Sequence, residues 1–506
     1  MTGRLNRAIY TMNSFIMNYL KEGYFILTKT ELAPYQPFDT GIPKINGPTI
    51  YGASPDKDIM YRLPVTGKRP IKYSELNGLP DGTAFDSQRG ILSGSAAEGE
   101  YKLCFKAEND LGTSRKNFLL RIAKDGMCQT PLMGWCSWNA FRNDISQDKI
   151  ADIARLMDEE GLAAYGYQYV NIDSGWQGEY CNQCNAILPN DRFPDISSLC
   201  REVHGRGLKI GIYSTPMLKA WGGGEYPGCT QGPVDPAFIN AYFGIGKKHL
   251  EKENARQWDE WGIDYLKYDW SPCDIQNAGL MKQCLDSASR DIAFCVTVRA
   301  DISQVDYWKN HCTSWRDNVD SDDRYEILMN LMSSSDDWAP HCSPGHFFDL
   351  DMLEVGTQNG NPCRLTEDEQ LIAYSFRTIF PSPLQASCDL SKLSDFERAM
   401  LCNEEIIAVN QDALGLGAVC VAEEKTKNSG HKIKKFIKIY EKPLEDGGYA
   451  FGVFNLGEET VKVHLPFDGK GNMRDLWAKK DLGSVDRPDA FVLEPHTVRM
   501  LKVTPV

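Results

Sequence analysis

Two charged residues interrupt an otherwise apolar stretch near the middle of the chain. The segment DYLKYDWSPCD, residues 264–274, has the composition of a buried strand except for Lys267 and Asp269. A charge that leaves water costs free energy unless it is paired or takes part in function. Because alternate residues of a strand point to the same side, we expect the two side chains to be neighbours, with the lysine keeping the carboxylate ionised.

Further acids stand where other predicted strands end. Asp173 closes YVNIDSGW, Asp320 closes SWRDNVD, and Asp349 and Asp351 lie in FFDLDML. Acids beside aromatic faces suit a sugar, because hydroxyl groups take charge-assisted hydrogen bonds and the C–H face of a pyranose packs on a ring. This arrangement favours a glycosidase. The aromatic residues interleaved with the acids are Trp138, Trp176, Tyr213, Trp270 and Trp315.

The same carboxylates could instead hold magnesium or manganese through their oxygens. A metal-dependent lyase or isomerase therefore stays open at this point, as does a purely structural role for the acids. Few histidines lie at the strand ends, and Lys267 and Arg316 bring positive charge next to the acids. Because these cations would repel a metal ion, we predict no metal and no cofactor.

Several residues near these motifs have simpler structural explanations. We expect Trp135 of GWCSWN to pack in the core and Trp138 to face the pocket. Asp322 and Asp323 could begin the helix DDRYEILMNLM, where acids interact favourably with the helix dipole. For Asp349, a supporting role and direct contact with substrate are equally open.

The chain contains sixteen cysteines, many for a cytosolic enzyme and few for a disulfide scaffold. Cys181 and Cys184 of CNQC have the spacing of half a zinc site, but no second pair with matching spacing follows closely. A local disulfide or free thiols therefore explain this loop better than a metal.

The segments that must position the acids alternate between strand and helix from about residue 126. Strand segments such as GYQYVNID and LKIGIYSTP are separated by helical segments such as LCREVHGRG, and such alternation indicates parallel strands. We predict a (β/α)8 barrel over residues 126–415, with the chemistry at the C-terminal strand ends. Two capping boxes, Thr366-x-x-Glu369 and Ser394-x-x-Glu397, predict helix starts.

Short strands with turn residues flank the predicted barrel on both sides. In EYKLCFKAEND and NFLLRI every second residue is apolar, which predicts a small β-sandwich over residues 41–125. Residues 416–506 read as strands around a DGG turn and predict a second, antiparallel β-sandwich. The chain is thus predicted to be multidomain, with residues 1–40 as an N-terminal segment.

Length and charge limit the classes of partner. A chain of 506 residues is too long for one core, and its formal net charge of −14 argues against nucleic acid or an anionic membrane surface as partner. We predict no membrane insertion. The stretch NSFIMNYLKEGYFILTKT is interrupted by Lys21 and Glu22 and makes a poor secretory signal. Either the mature protein stays inside the cell or its natural start differs; we expect an extracytoplasmic location, periplasmic or secreted.

Seven segments, taken in order, resemble the motifs of glycoside hydrolase family 27, the α-galactosidase and α-N-acetylgalactosaminidase family. They are TPLMGWCSWNAF, YVNIDSGW, LKIGIYSTP, YLKYDW, WRDNVDSDD, FFDLDML and IIAVNQDALG. The resemblance covers roughly residues 128–416 and the C-terminal β-domain, while residues 41–125 look like the Ig-like domain of many bacterial exported enzymes. It implies a retaining exo-glycosidase that hydrolyses terminal α-D-galactosyl residues by double displacement.

The resemblance also implies roles for individual residues. Asp269 matches the family's nucleophile, and Asp320, four residues after Arg316, matches the acid/base. The implied substrate-binding residues are Trp138, Asp173, Ser174, Trp176, Tyr213, Lys267, Arg316 and Asp351.

Two departures from the family pattern leave the sugar open. The family usually has paired acids that bind the 4- and 6-hydroxyls, whereas here Asp173 is followed by Ser174, and VTVRADIS matches neither family pattern for the group at C2. The alternatives are a member acting on an α-glucoside, an isomaltosyl group or a β-L-arabinopyranoside, and a non-catalytic carbohydrate-binding surface protein. The expected partner is an oligosaccharide or polysaccharide, and a homo-oligomer stays open.

Overall fold

The computed structural model describes residues 29–222, 226–317, 320–427, 433–485 and 490–506. Most of the predicted N-terminal segment and of the stretch NSFIMNYLKEGYFILTKT lies outside the described residues. The chain forms two compact units, one made of Pro34–Leu365 and Phe380–Gly417, the other of residues 29–33, Thr366–Ile379 and Ala418–Val506. Among the described residues, no helix combines the length and the apolar character that crossing a membrane requires.

Nine strands open the first unit: seven of them form two sheets around one core, and β1 pairs with β4 separately. Alternate residues of the strands turn inward, so that Tyr61, Phe105 and Phe118 pack against one another between the sheets. The sheet orders are β2-β9-β8-β5 and β3-β7-β6. The Ig-like kinship of this β-sandwich stays a prediction. The strands are β1 Lys44–Ile45, β2 Ile50–Ala53, β3 Ile59–Arg62, β4 Val65–Thr66, β5 Lys72–Glu75, β6 Thr83–Asp86, β7 Ile91–Gly94, β8 Gly99–Asn109 and β9 Gly112–Ile122.

Fourteen strands follow in the same unit. They are β10 Met133–Cys136, β11 Tyr169–Asn171, β12 Gln177–Tyr180, β13 Ile187–Pro189, β14 Lys209–Ser214, β15 Thr230–Val234, β16 Gly246–His249, β17 Tyr265–Asp269, β18 Ala293–Thr297, β19 Ser314–Trp315, β20 Phe347–Phe348, β21 Thr357–Gln358, β22 Asn361–Pro362 and β23 Leu384–Ala386. Six of them pair as the hairpins β12-β13, β15-β16 and β21-β22.

The other eight strands pair in parallel and in chain order, from β10 through β11, β14, β17, β18, β19 and β20, with β23 beside β10. A parallel bridge between Leu353 and Ala386 joins the two ends and closes the sheet. Every residue of β18 is buried, as expected when one face fills a barrel and the other packs on helices. The predicted (β/α)8 barrel is confirmed.

Eleven α-helices are described. They are α1 Ser137–Phe141, α2 Gln147–Glu159, α3 Leu162–Tyr165, α4 Ile196–Gly205, α5 Glu251–Trp261, α6 Ile275–Asp286, α7 Val305–His311, α8 Tyr325–Ser334, α9 Glu367–Ile379, α10 Asp395–Leu401 and α11 Glu404–Asn410. Both predicted capping boxes are present: Thr366 and Glu369 exchange hydrogen bonds at the start of α9, as do Ser394 and Glu397 at α10. Short 3-10 turns lie at Pro236–Phe238, Ile302–Gln304, Ala339–His341 and Leu390–Lys392.

The second unit is built on antiparallel strands. Six of them form a sheet in the order β24-β25-β26-β31-β28-β29, and β27 pairs with β30; Phe451, Leu465 and Leu501 lie in their common core. The antiparallel β-sandwich predicted for this region is confirmed. The strands are β24 Val419–Lys427, β25 Ile433–Pro443, β26 Tyr449–Asn455, β27 Val461–His464, β28 Gly471–Asp475, β29 Lys480–Val485, β30 Ala490–Leu493 and β31 Thr497–Pro505.

This unit also includes α9, whose sequence lies inside the predicted barrel segment. The buried Trp477 donates its indole N–H to the Ser375 hydroxyl at 2.9 Å. The boundary predicted at residue 416 therefore leaves out a helix that packs with the C-terminal strands. The other boundaries stay predictions.

Candidate active site

A cavity of about 630 Å³ opens at the C-terminal ends of the barrel strands. Parallel strands present these ends on one face of the barrel, which is why residues far apart in the chain meet there. Six of the ten predicted site residues line the cavity: Trp138, Asp173, Tyr213, Lys267, Asp269 and Asp320. The remaining four are buried and do not line the cavity.

Asp269 is the last residue of β17 and forms part of the cavity wall. The Thr297 hydroxyl donates to one of its oxygens at 2.7 Å, and the Tyr213 hydroxyl donates to the other at 3.1 Å. Burial raises the pKa of Asp269 to about 6, and the positive charge of Lys267 and the bond from Thr297 limit that rise. A carboxylate held by two donors and poised near neutral pH can act as a nucleophile.

Lys267 lies two residues before Asp269 in β17 and lines the same cavity. Its ammonium forms an ion pair with Asp173 at 2.8 Å, and this acid, not Asp269, is its direct partner. The predicted pairing of Lys267 with Asp269 is therefore corrected, although Lys267 still lowers the pKa of Asp269 from a distance. Burial would lower the pKa of Lys267, but Asp173 and the acids around it raise it well above its usual range.

Asp320 differs from Asp269 in its surroundings. Its side chain is 81% exposed, and Arg316 donates to it at 2.6 Å. The same Arg316 is only 2% exposed and also binds Asp351 at 2.6 Å. An exposed carboxylate beside a fixed guanidinium can exchange protons with solvent and with a leaving group.

Arg316 and Asp351 hold Asp320 in place and do not form the cavity surface. Asp351 is buried, and besides Arg316 it accepts the Ser321 N–H at 2.8 Å, directly after Asp320. Neither Arg316 nor Asp351 lines the cavity itself, and contact of either side chain with substrate stays a prediction.

Ser174 and Trp176 are fully buried and do not line the cavity, so their contact with substrate stays a prediction. The Ser174 hydroxyl donates to the Trp221 carbonyl, and the Trp176 indole N–H donates to the Tyr213 carbonyl at 2.9 Å. Both side chains support residues that do line the cavity, Trp221 and Tyr213.

The acids whose roles were left open lie outside the cavity wall. Asp349 is buried and accepts the Asp351 N–H at 2.8 Å, so it takes the supporting role. Asp322 and Asp323 precede α8, which begins at Tyr325, and both bind Arg364 instead of the helix. Burial would raise the pKa of Asp323, but hydrogen bonds from Arg364 hold it below its usual range.

Trp135 packs in the core and Trp138 faces the cavity, as predicted. Trp135 is fully buried and donates its indole N–H to the Cys388 carbonyl at 2.8 Å. Trp138 lines the cavity, and the guanidinium of Arg142 lies 5.2 Å from its ring centre.

Several cavity residues were missed by the sequence analysis. Val298 and Arg299 come from VTVRADIS, the segment already noted for its departure from the family pattern, and the buried Thr297 of the same segment binds Asp269. Trp221 and Tyr242 come from the long segment between β14 and α5, whose length was the available signal, and Asn143 follows α1.

The donors within the cavity suit hydroxyl groups better than a divalent ion. Among the described residues, each carboxylate of the wall already has a cation or a hydroxyl donor: Asp173 has Lys267, Asp269 has Thr297 and Tyr213, and Asp320 has Arg316. The absence of a metal stays a prediction. In CNQC, Cys181 and Cys184 are free thiols, and the Cys184 N–H donates to the Cys181 sulfur at 3.0 Å.

Comparison with known proteins gives two family matches. Residues 130–412 match the family described as alpha galactosidase A, and residues 435–503 match the alpha galactosidase C-terminal beta sandwich domain. Among curated relatives, α-galactosidase 2 of Arabidopsis thaliana is 30% identical over 403 residues, 76% of this chain and 91% of its own. α-Galactosidase A of Cellvibrio japonicus is 29% identical over 416 residues, 75% of this chain and 93% of its own.

Solved structures agree with these matches. A Bacteroides fragilis protein assigned as an α-galactosidase/melibiase has a TM-score of 0.81 and 26% identity, covering 92% of this chain and 99% of its own. α-Galactosidase I of Mortierella vinacea has a TM-score of 0.63 and 24% identity, covering 76% of this chain and 99% of its own.

Proposed function

The chain belongs to glycoside hydrolase family 27, the α-galactosidase family, and from this premise we propose that it is a retaining exo-glycosidase that hydrolyses terminal α-D-galactosyl residues. One observation carries the proposal. Two carboxylates, Asp269 and Asp320, line the same cavity in contrasting surroundings, one enclosed by donors and the other exposed beside a guanidinium. This division suits a nucleophile and an acid/base.

In the first step Asp269 attacks the anomeric carbon and forms a covalent glycosyl ester. As the glycosidic bond breaks, Asp320 gives its proton to the leaving oxygen, so the aglycone departs as an alcohol. Retention requires the two carboxyl groups to lie about 5–5.5 Å apart across the bond, and we expect that separation here.

In the second step Asp320, now a carboxylate, takes a proton from water. The resulting hydroxide attacks the anomeric carbon from the face that the aglycone left, and Asp269 is released as a carboxylate. The sugar leaves with its original configuration because two inversions cancel.

Asp173 and Lys267 hold the sugar at the base of the cavity. The ion pair leaves further donors on the ammonium and lone pairs on the carboxylate for ring hydroxyls. Trp138 offers an aromatic face for the C–H side of the ring. An oligosaccharide or polysaccharide that ends in such a sugar is the proposed substrate; a homo-oligomer and an extracytoplasmic location stay predictions.

A second candidate function is the hydrolysis of a pyranoside other than an α-galactoside. The presence of Ser174 in place of a second acid favours it. The buried Ser174 brings no charge to the cavity, and the buried Asp349 does not replace the missing acid. A charge-assisted hydrogen bond contributes about 1.5–3 kcal/mol against about 1 for a neutral one, so a hydroxyl that the second acid would hold is held less tightly. β-L-Arabinopyranose has the galactose ring without its hydroxymethyl group, so it would lose the least binding free energy when the second acid is missing.

The test compares 4-nitrophenyl α-D-galactoside, α-D-glucoside and β-L-arabinopyranoside as substrates of the wild-type chain. We expect hydrolysis of the α-galactoside, its loss in Asp269→Ala, and recovery of that variant by azide with formation of a glycosyl azide. A larger kcat/KM for the arabinopyranoside would favour the second candidate. Binding without hydrolysis of any substrate would support a non-catalytic carbohydrate-binding protein instead.

A further inference from the structure

Two arginines at the mouth of the cavity are not used by the proposed reaction. Arg142 and Arg299 both line the cavity and are exposed. Among the described residues, neither guanidinium has a hydrogen-bonded or acidic partner, whereas the buried Arg316 has two acids. Hereafter Arg142 and Arg299 are called the rim arginines.

The rim arginines reach the cavity from opposite sides of the barrel. Arg142 follows α1, directly after the first barrel strand, β10, and Arg299 lies two residues after β18, the fifth of the eight. In a closed sheet of eight strands, the first and the fifth face each other. A group that sits at the mouth is therefore between two positive charges.

Both rim arginines hold an unusual backbone conformation. The φ angle is 50° at Arg142 and 65° at Arg299, in the left-handed region that glycine adopts at least cost. A long charged residue at such positions, next to a binding cavity, indicates a functional reason for the side chain. The stacking of Arg142 on Trp138 further fixes the direction of its guanidinium.

An aromatic pair lies between the rim arginines on the third barrel strand's loop. The rings of Trp221 and Tyr242 are 4.4 Å apart, both line the cavity, and Tyr242 is 67% exposed. Such a surface packs against the C–H face of a sugar ring. The mouth thus offers an apolar face for a ring and two cations for charged groups on it.

The positive charge of the rim arginines contrasts with the charge of the rest of the chain. The chain carries a formal net charge of −14, and Lys267 in the cavity wall and the buried Arg316 are both paired with acids. Neutral hydroxyl groups do not require a guanidinium. A carboxylate or sulfate does benefit, because its oxygens accept the parallel N–H groups of arginine in charge-assisted hydrogen bonds.

We propose that the rim arginines, with Trp221 and Tyr242, form a subsite for a leaving-group sugar that carries an oxyanion. The substrates would be galactosides whose neighbouring residue is a uronate or a sulfated sugar. The mouth takes the leaving group because an exo-acting enzyme places the terminal sugar at Asp269 and the rest of the chain toward solvent. The proposal rests on the proposed function for the identity of the terminal sugar and for its position at Asp269.

The experiment measures kcat/KM for three disaccharides with the same terminal sugar, joined to glucose, to glucuronate or to a 6-sulfated glucose. We expect the wild type to prefer one or both acidic substrates by tenfold or more in dilute buffer, and 0.5 M sodium chloride to remove most of that preference. In the Arg142→Gln and Arg299→Gln variants the acidic-to-neutral ratio falls several-fold, and in the double variant it approaches one. The larger ratio identifies carboxylate or sulfate.

Arg256→Gln is the matched control, because Arg256 is an exposed arginine on α5, away from the cavity, and should keep the wild-type ratio. A wild-type ratio of one or less, or a double variant that keeps the preference, overturns the subsite. If no disaccharide is cleaved, the proposed function fails and the subsite is judged by calorimetry with the Asp269→Asn variant. Tighter binding of the acidic disaccharides would then support the subsite, and equal binding would refute it.

Discussion

At the residue scale, we expect Asp269 to set the pH dependence of the reaction. Burial raises its pKa to about 6, so the nucleophile becomes protonated as the pH falls through that value and kcat/KM decreases. Thr297 donates to the carboxylate at 2.7 Å and lowers its pKa. Thr297→Val should therefore move the acidic limb of the kcat/KM profile upward by about one pH unit, the effect of a hydrogen bond to a charged group.

Thr297→Ser is the control for this shift, since serine keeps the hydroxyl and should leave the limb near pH 6. The readout is a pH profile, which a general loss of folding would lower without displacing. An unchanged limb in Thr297→Val would show that another group controls ionisation.

The same carboxylate should weaken the fold at neutral pH. Its pKa is about 6 in the folded state and near 3.9 when unfolded, so the folded state binds more protons between these values and loses stability as the pH rises through them. Well above pH 6 the loss is complete and amounts to about 3 kcal/mol. Asp269→Asn, which keeps an oxygen for Thr297, should raise the melting temperature at pH 7.5 and change it little at pH 4.5.

Asp81→Asn, a substitution of an exposed acid in the N-terminal sandwich, controls for the general effect of removing a negative charge. An Asp269→Asn variant that melts below wild type at both pH values would contradict the assigned pKa. Scanning calorimetry at the two pH values measures both variants.

At the scale of elements, the proposed reaction depends on the position of the segment after β19, because this segment carries Asp320. Arg364 binds Asp323 through its backbone N–H at 2.8 Å and its side chain at 2.7 Å, and reaches Asp322 at 2.6 Å. These contacts anchor the chain directly after Asp320. Because exposed ion pairs contribute up to about 1 kcal/mol, Arg364→Ala should lower kcat by up to about fivefold.

The loss should appear for substrates with poor leaving groups, which need the proton from Asp320, and less for activated aryl glycosides, with KM nearly unchanged. Arg324→Ala is the matched control, since within the described part of the chain the Arg324 guanidinium pairs with Asp322, at 3.1 Å, and not with Asp323. Equal losses on both kinds of substrate would show that Arg364 does not act through Asp320.

The elements also show why the site was only partly predictable. Lys267 and Asp269 lie within β17, where the period of two determines the side each faces, and both reach the cavity. Ser174 and Trp176 follow β11 after it has ended at Asn171, so no periodicity describes their direction, and both turned out to be buried. The side that a residue within a strand faces is predictable from sequence, whereas beyond the strand end the pattern does not separate Asp173, which lines the cavity, from Ser174 and Trp176, which do not.

The rim arginines and Trp221 show the same limit over longer distances. Arg142, Trp221 and Arg299 come from loops after three different strands and meet only because the barrel closes. Strand-helix alternation predicted that closure, but the loops' side-chain directions depend on contacts among the loops. The fold class was thus accessible from the sequence, and the outer part of the cavity was not.

At the scale of the whole first unit, the N-terminal sandwich contacts the end of the barrel opposite the cavity. Lys209 is the first residue of β14, and its ammonium lies 2.9 Å from the hydroxyl of Tyr51 in the sandwich and 3.5 Å from that of Tyr169 in β11. Gln168 donates to the Arg62 carbonyl at 2.6 Å across the same contact. The sandwich therefore covers the N-terminal ends of barrel strands. The length of these strands separates it from the cavity.

This separation predicts that weakening the contact changes stability and leaves catalysis alone. Lys209→Met keeps the size of the side chain but removes the ammonium from between the rings of Tyr51 and Tyr169, whose centres lie 5.1 and 5.4 Å away. The hydroxyls of two half-buried tyrosines lose a partner, at about 1–3 kcal/mol, so the melting temperature should fall by several degrees while kcat and KM stay at wild-type values. Lys72→Met, an exposed position in the sandwich, should change neither. A Lys209→Met variant with unchanged melting and altered kcat would instead mean that the sandwich influences the cavity through the barrel.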